Sequence, residues 1–308
     1  VKGQRSAKRA LEIAAAGNHN LLFVGPPGTG KSMLARRLPG LLPKLSKSEA
    51  LETAAINSLA GVAVEASEWH RRPFRSPHHT ATAAALVGGG PKLSPGEVSR
   101  AHNGVLFLDE LPEFNRNVLE VLREPMETGA ITIARAGMHA DFPARFQLIA
   151  AMNPCPCGYL GDEQSDCRCS GDRVATYRNK VSGPLLDRID LHVEVPRPST
   201  AMLRGDGSDG EISSVVAERV AKAWQLQIRR AGCANSRLEG EQLAAVCELE
   251  DACWSLLESA AERFNLSARA HQRARRVART IADLAGATTI APRHVAEALS
   301  LRCLDRRL

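Results

Sequence analysis

The chain has 308 residues, 44% of them hydrophobic and 24% charged, which is the make-up of a folded globular protein with room for one large and one smaller domain. No apolar run approaches the roughly 18 residues that a membrane-spanning helix needs, and eight cysteines are too sparse for a disulfide scaffold, so the expectation is a cytoplasmic protein with no membrane partner. The net charge of +6, with an isoelectric point near 9.0, suits a polyanionic partner, and it is unevenly spread: ten arginines from Arg263 to Arg307 face three acidic residues after Glu262.

The opening Val1-Lys2-Gly3-Gln4 carries neither an initiator Met nor a signal-peptide core, so the chain reads as a piece of something longer. Ala7, Ala10, Leu11 and Ala14 recur at helical spacing and predict a helix over Ser6 to Ala16, stopped by Gly17-Asn18. A short apolar strand, Leu21 to Val24, then runs into Gly25-Pro26-Pro27-Gly28-Thr29-Gly30-Lys31-Ser32, which matches G-x-x-x-x-G-K-[ST] at every fixed position and precedes a helical stretch. In that setting successive backbone N–H groups curl around phosphate oxygens and the helix start adds positive potential. Lys31 reaches the β- and γ-phosphates, and Ser32 joins the coordination of a Mg²⁺ bridging them. ATP and Mg²⁺ are therefore the expected cofactors.

Ser46 followed by Glu49 predicts a capping box opening a helix to Leu59. Between Glu65 and Arg100 the pattern breaks into a short strand near Phe74, a short helix from Thr80 to Leu86 and a Gly-rich hairpin or loop. His78-His79 in this region read as polar contacts rather than as metal ligands, since adjacent residues of an extended segment point opposite ways. Val105 to Leu108 is an apolar strand ending in Asp109-Glu110, roughly 80 residues after the P-loop. There Asp109 would share the Mg²⁺ with Ser32, and Glu110 would polarise the attacking water. A helix is expected from Val118 to Glu127, then a hairpin with arms at Ile131–Ile133 and Phe142–Phe146 and an apex over Arg135 to His139. The strand Gln147 to Met152 ends in Asn153, and a last strand covers Leu191 to Val195. Pro, Ser, Gly and Asp mark 199–210 as a linker, and helices are expected over Ile212–Arg230, Glu241–Phe264, Ser267–Leu284 and Pro292–Cys303.

These motifs, in this order, resemble the AAA+ ATPases. The insert Gly-Glu-Val-Ser-Arg-Ala-His-Asn-Gly ahead of the Asp109 strand, and Thr-Gly-Ala-Ile-Thr-Ile-Ala-Arg-Ala-Gly ahead of the Asn153 strand, look like the helix-2 insert and pre-sensor-1 hairpin shared by Mg-chelatase ATPase subunits and MCM helicases. Asn-Pro-Cys-Pro-Cys-Gly and Ser-Gly-Pro-Leu-Leu-Asp-Arg-Ile-Asp narrow the resemblance to the ComM/YifB group of Mg-chelatase-like proteins, over essentially the whole chain. The resemblance implies an α/β fold, a parallel sheet sandwiched by helices, over 1–198, followed by an all-helical lid over 211–308. It further implies Asn153 as sensor 1, Arg188 as an arginine finger acting on a neighbouring subunit's ATP, and Arg269 as the sensor-2 residue. A homo-hexamer that hydrolyses ATP to translocate on or unwind single-stranded or branched DNA, promoting branch migration during DNA uptake, follows from it. The alternative is a chelatase-like or protein-remodelling ATPase working through accessory proteins without DNA. Members of the group carry a Lon-protease-like domain ahead of the ATPase core, which this sequence does not include.

Two further expectations come from the residues themselves. Cys155, Cys157, Cys167 and Cys169, two C-x-C pairs nine residues apart in the polar loop 155–169, suit a tetrahedral structural Zn²⁺, against the duller possibility of four reduced surface thiols. Basic hairpin tips suit phosphate backbones, with Arg135 first, His139 beside it and Lys92 on the Gly-rich insert. Cys233, Cys247, Cys253 and Cys303 sit on helical stretches as small buried hydrophobes.

Overall fold

The structure, a computed structural model, describes residues 3–89, 93–135, 138–198, 210–264 and 266–304. Lys92 and the linker 199–209 lie outside the described residues. The strands are β1 (Leu21–Val24), β2 (Phe74–Arg75), β3 (Gly88–Gly89), β4 (Ser94–Pro95), β5 (Val105–Leu108), β6 (Ala130–Arg135), β7 (Met138–Pro143), β8 (Gln147–Met152) and β9 (Leu191–Glu194). Five of them form a parallel sheet in the order β2-β5-β8-β1-β9, flanked by helices, and the C-terminal region is helical. β1, β5 and β8 are buried along their whole length, so they read, after Gln147 in β8, as continuous apolar runs rather than alternating ones.

The chain divides into two compact units, Val1–Pro43 with Ile189–Leu308, and Lys44–Arg188. In the first, β1 pairs with β9 in register from Leu21↔Leu191 to Val24↔Glu194. Helix Arg5–Gly17 buries Ala7, Ala10, Leu11 and Ala14 and packs on helices Ser213–Ala231 and Ala268–Leu284. It stops where Asn18 turns left-handed and returns its N–H to Ala14 O. The basic helix Ala268–Leu284 spends its charge internally. Arg275 donates to Cys247 O and Arg276 to Leu238 O, Arg279 reaches Ala287 O, Thr288 O and Asp283, and Arg273 pairs with Asp190 at 3.5 Å. Much of the C-terminal arginine excess thus binds the protein to itself. Asp190 is buried, which alone would raise its pKa; the His19 hydrogen bond, then Arg273 and the Asn20 N–H, instead hold its carboxyl below the usual range.

In the second unit the Ser46–Glu49 capping box forms, with Glu49 N–H donating to Ser46 Oγ at 3.2 Å and Ser46 N–H to Glu49 Oε2 at 2.8 Å. The insert sequence Arg100 to Gly104 ties this helix to the start of β5. Arg145 N–H donates to His102 Nδ1, leaving Nε2–H to donate to Glu52 at 3.1 Å, and Asn103 Nδ2 donates to the same carboxylate. Two short strands, β3 and β4, close the Gly-rich insert as an antiparallel pair.

Three expected elements differ. The helix over Val118–Glu127 is two helices, Arg116–Glu120 and Arg123–Thr128, because Pro125 has no N–H for the Val121 carbonyl and its ring would clash there; the break falls at Val121-Leu122. The helix over Glu241–Phe264 is likewise split, into Gly240–Val246 and Asp251–Phe264, where Leu249 forms a parallel bridge with Ile290. The second hairpin arm is Met138–Pro143 rather than Phe142–Phe146. It ends at Pro143, and His139 pairs with Ala134 inside the ladder. Of the four helical cysteines, Cys247 and Cys253 are buried, whereas Cys233 and Cys303 are half-buried.

Candidate nucleotide site

β1 delivers the chain into the loop Gly25–Gly30 and out into helix Lys31–Ala35. Gly25 is pressed against the exit of β9: a Cβ built there would lie 2.2 Å from Val195 O. Gly28 and Gly30 are left-handed, at φ +76° and +92°, and let the loop curl. Thr29 Oγ1 donates to Pro26 O at 3.0 Å. Lys31, 8% exposed, donates from Nζ to Gly25 O and Pro26 O, both at 2.7 Å. The ammonium is thereby drawn inside the loop's own curl, while Pro27 and Gly28 on the rim are exposed and Ser32 is half-buried. No heavy atom lies within 4 Å of a Cβ built on Gly28, so the rim is open, and a cation, a hydroxyl and a run of backbone N–H groups make a donor set that fits nucleotide phosphates.

In the second unit β5 ends in Asp109 and Glu110. Glu110 is a non-glycine residue at φ 53°, ψ 47°, and its N–H donates to Asp109 Oδ1 at 3.0 Å. Left-handed backbone at a carboxylate is a sparsely populated conformation that the surroundings must impose. The Glu110 side chain meets His79, whose Nδ1 is 3.1 Å from Glu110 Oε2. β2 pairs with β5 in register, Phe74↔Val105 and Arg75↔Leu106, and four residues further on it brings His79 to the end of its neighbour. The His79 ring lies 4.1 Å from that of His78 and meets Phe114 edge-on. The polar reading of this histidine pair thus has a definite object, and sequence reasoning had not assigned it, because residues 79 and 110 become neighbours only through the β2–β5 register.

Asn153 follows β8. Its N–H meets the Tyr177 hydroxyl, and Arg178 Nε donates to Pro154 O at 3.2 Å, so helix Gly171–Arg178 clamps the strand end. Arg188 is 8% exposed; it donates to Pro184 O at 2.5 Å and forms an ion pair with Glu127 of its own unit. Arg269 is exposed in the first turn of helix Ala268–Leu284, whose N-cap is Ser267. Of the expected DNA contacts, Arg135 ends β6, where its backbone pairs with Met138, and His139 is exposed one pair in from that last one. The sulfurs of Cys155, Cys157, Cys167 and Cys169 lie within 4.8 Å of one another, the metal-apt cluster among the described residues.

A parallel sheet whose strand β1 opens into a Gly-x-x-x-x-Gly-Lys-Ser loop, with an Asp-Glu pair closing β5, defines an AAA+ type P-loop protein. The chain belongs to the magnesium chelatase subunit ChlI family and to its ComM/YifB group: the ChlI model matches residues 1–203 and the ChlI C-terminal model residues 210–302. It is 51% identical over 308 residues to competence protein ComM of Haemophilus influenzae, and 51% identical over 310 residues to the uncharacterized protein YifB of Salmonella typhimurium. Both comparisons take in 100% of this chain but 60% of the relative's length. More distantly, it is 26% identical to the magnesium-chelatase 38 kDa subunit of Cereibacter sphaeroides, over 75% of this chain and 70% of that protein. No helix among the described residues is long and apolar enough to cross a membrane.

Proposed function

We propose that this chain is the motor portion of a hexameric, ATP-hydrolysing DNA helicase or translocase of the ComM type, active on single-stranded or branched DNA during uptake and recombination. The observation that carries the reading is the loop Gly25–Ser32 with Lys31 drawn into it, a site ready for a triphosphate. The 51% identity to a competence protein supports the DNA half, as does the β6–β7 hairpin ending in Arg135.

The division of labour follows from the residues. Backbone N–H groups of Gly25 to Ser32 bind phosphate oxygens, and Lys31 exchanges the Gly25 and Pro26 carbonyls for them. Ser32 and Asp109 would hold Mg²⁺, which would neutralise charge on the nucleotide's phosphates. Glu110 accepts a proton from the attacking water and His79 fixes the direction of its carboxylate. Asn153 orients that water. Arg188 leaves Glu127 to meet a neighbouring subunit's nucleotide, and Arg269 offsets its charge from the lid. Arg135, His139 and Lys92 contact the DNA backbone from the pore.

The test is ATP hydrolysis with and without single-stranded DNA, for the chain, Arg135→Ala and Lys31→Ala. DNA stimulation that disappears in Arg135→Ala while basal hydrolysis persists supports the motor, and Lys31→Ala is inactive. No stimulation at any salt in a hexameric sample removes it. That outcome favours the second reading, a partner-driven ATPase, which the match to magnesium chelatase subunits along the chain supports.

A further inference from the structure

A tight turn at Cys155–Gly158 and the irregular segment Cys167–Cys169 bring four sulfurs to one point in the loop after β8. Cys155 Sγ lies 3.4 Å from Cys157 Sγ and 3.7 Å from Cys167 Sγ, and Cys157 Sγ lies 3.6 Å from Cys167 Sγ. We propose that Cys155, Cys157, Cys167 and Cys169 hold one Zn²⁺ in a closed tetrahedral thiolate centre, and that this centre braces the Asn153 end of β8.

The spacings narrow the chemistries open to four cysteines to a single tetrahedral ion. A disulfide needs sulfurs at about 2.05 Å, far closer than any of these pairs. An iron–sulfur cluster spreads its thiolates over two or four irons, wider than a set in which every pair lies within 4.8 Å. One ion with metal–sulfur bonds of about 2.3 Å puts tetrahedral ligands about 3.8 Å apart, close to the 3.4, 3.7 and 3.6 Å of the three pairs above. Thiolate ligands also need donors around them, and the backbone supplies them: N–H groups of Tyr159 and Arg168 point at Cys157 Sγ, that of Cys169 at Cys167 Sγ, and that of Cys157 at Cys169 Sγ. Four sulfurs complete the preferred coordination of zinc and leave no open position, so the centre is structural rather than catalytic.

The brace follows from the connectivity. Asn153 and Pro154 are all that separates β8 from Cys155, and after Cys169 the chain enters helix Gly171–Arg178, capped by Ser170, whose far end returns to Asn153 through Tyr177 and to Pro154 through Arg178. Metal and helix together close a ring of chain on the strand end. This second half rests on the proposed role of Asn153; the metal centre does not.

The chain, prepared under reducing conditions, is assayed for metal by mass spectrometry and then exchanged with Co²⁺. About one zinc per chain, and the intense visible absorption of tetrahedral tetrathiolate Co²⁺, are expected. Cys157→Ser loses the metal, whereas Cys169→His, still a Cys₃His set, keeps it. Metal-free protein with all four thiols reactive, an octahedral Co²⁺ spectrum, or full retention in Cys157→Ser overturns the centre; the wild-type Co²⁺ spectrum decides even where a variant fails to fold. For the brace, zinc-stripped protein keeps its affinity for a fluorescent ADP within about twofold but hydrolyses ATP about 10- to 100-fold more slowly, the cost of a misplaced water-orienting group. Full-rate hydrolysis without zinc sinks the brace and leaves the centre standing. A zinc-loaded wild type that hydrolyses nothing indicts the ATPase reading instead.

Discussion

Gly25→Ala tests whether the nucleotide loop is built on the β1–β9 contact. The new methyl would sit 2.2 Å from Val195 O, against the 3.4 Å at which ordinary contact begins, so the strands must part by the difference, 3.4 − 2.2 = 1.2 Å. The same strands are tied by Val195 N–H donating to Val24 O at 2.8 Å. Adding 1.2 Å carries that pair to about 4.0 Å, beyond hydrogen-bonding range. Losing the bond costs about 1 kcal/mol and forcing a methyl into a packed site about 1–3 more, together about 2–4 kcal/mol. Gly28→Ala is the control, with nothing within 4 Å of its Cβ and only the left-handed φ of +76° to sustain, about 1–2 kcal/mol. Urea unfolding followed by circular dichroism measures both, at constant m. If Gly25→Ala costs under about 0.5 kcal/mol, or less than Gly28→Ala, close strand approach is not why that glycine is there.

Asp190→Asn leaves Arg273 and His19 without a buried carboxylate and should cost about 3–5 kcal/mol in the same urea assay. Because the folded pKa of Asp190 lies below its unfolded value, its contribution is present above about pH 4 and fades as pH falls through the folded pKa. Acid unfolding of the wild type should therefore be steeper below pH ~4 than that of Asp190→Asn, and superimposable acid limbs would count against this pairing. Ser46→Ala removes the capping box and should cost about 1 kcal/mol, with Ser46→Gly costing only a few tenths; a negligible loss in Ser46→Ala would argue that the box contributes nothing. His79→Ala should lower kcat about tenfold with KM for ATP unchanged, and His79→Asn should restore part of it; a shift in KM alone would mean that His79 does not act through Glu110.

Elements marked by local chemistry were legible in the sequence. Ser46 and Glu49 announce their capping box because both partners sit within one turn, and β1 and β5 announce buried parallel strands because all four residues of each are apolar. What escaped needed either a finer local rule or a distant partner. Pro125 breaks a helix four residues upstream, at Val121, and a hydrophobic pattern alone does not display that. Nothing near Leu249 predicts a break; Ile290, 41 residues on (290 − 249), creates it. In the candidate site, the loop Gly25–Ser32 and the two C-x-C pairs are visible as spacings. The His79–Glu110 contact, the Tyr177–Asn153 clamp and the Arg188–Glu127 ion pair are not, since each joins residues that only the folded register brings together.

The division of the first unit between Val1–Pro43 and Ile189–Leu308 also bears on how the protein is made. β1 emerges from the ribosome 167 residues ahead of β9 (191 − 24), its parallel neighbour in that unit. At about 5–20 residues per second that is an interval of about 8–33 s. Through it Leu21, Leu22 and Phe23 lack the strand that covers one of their edges, while Lys44–Arg188 is synthesised in one uninterrupted stretch. A nascent chain arrested before Leu191 should therefore protect the amides of β5 and β8 but expose the β9-facing edge of β1 to chaperones. The nucleotide loop would be among the last parts of the molecule to take shape, although its residues are among the first to be translated.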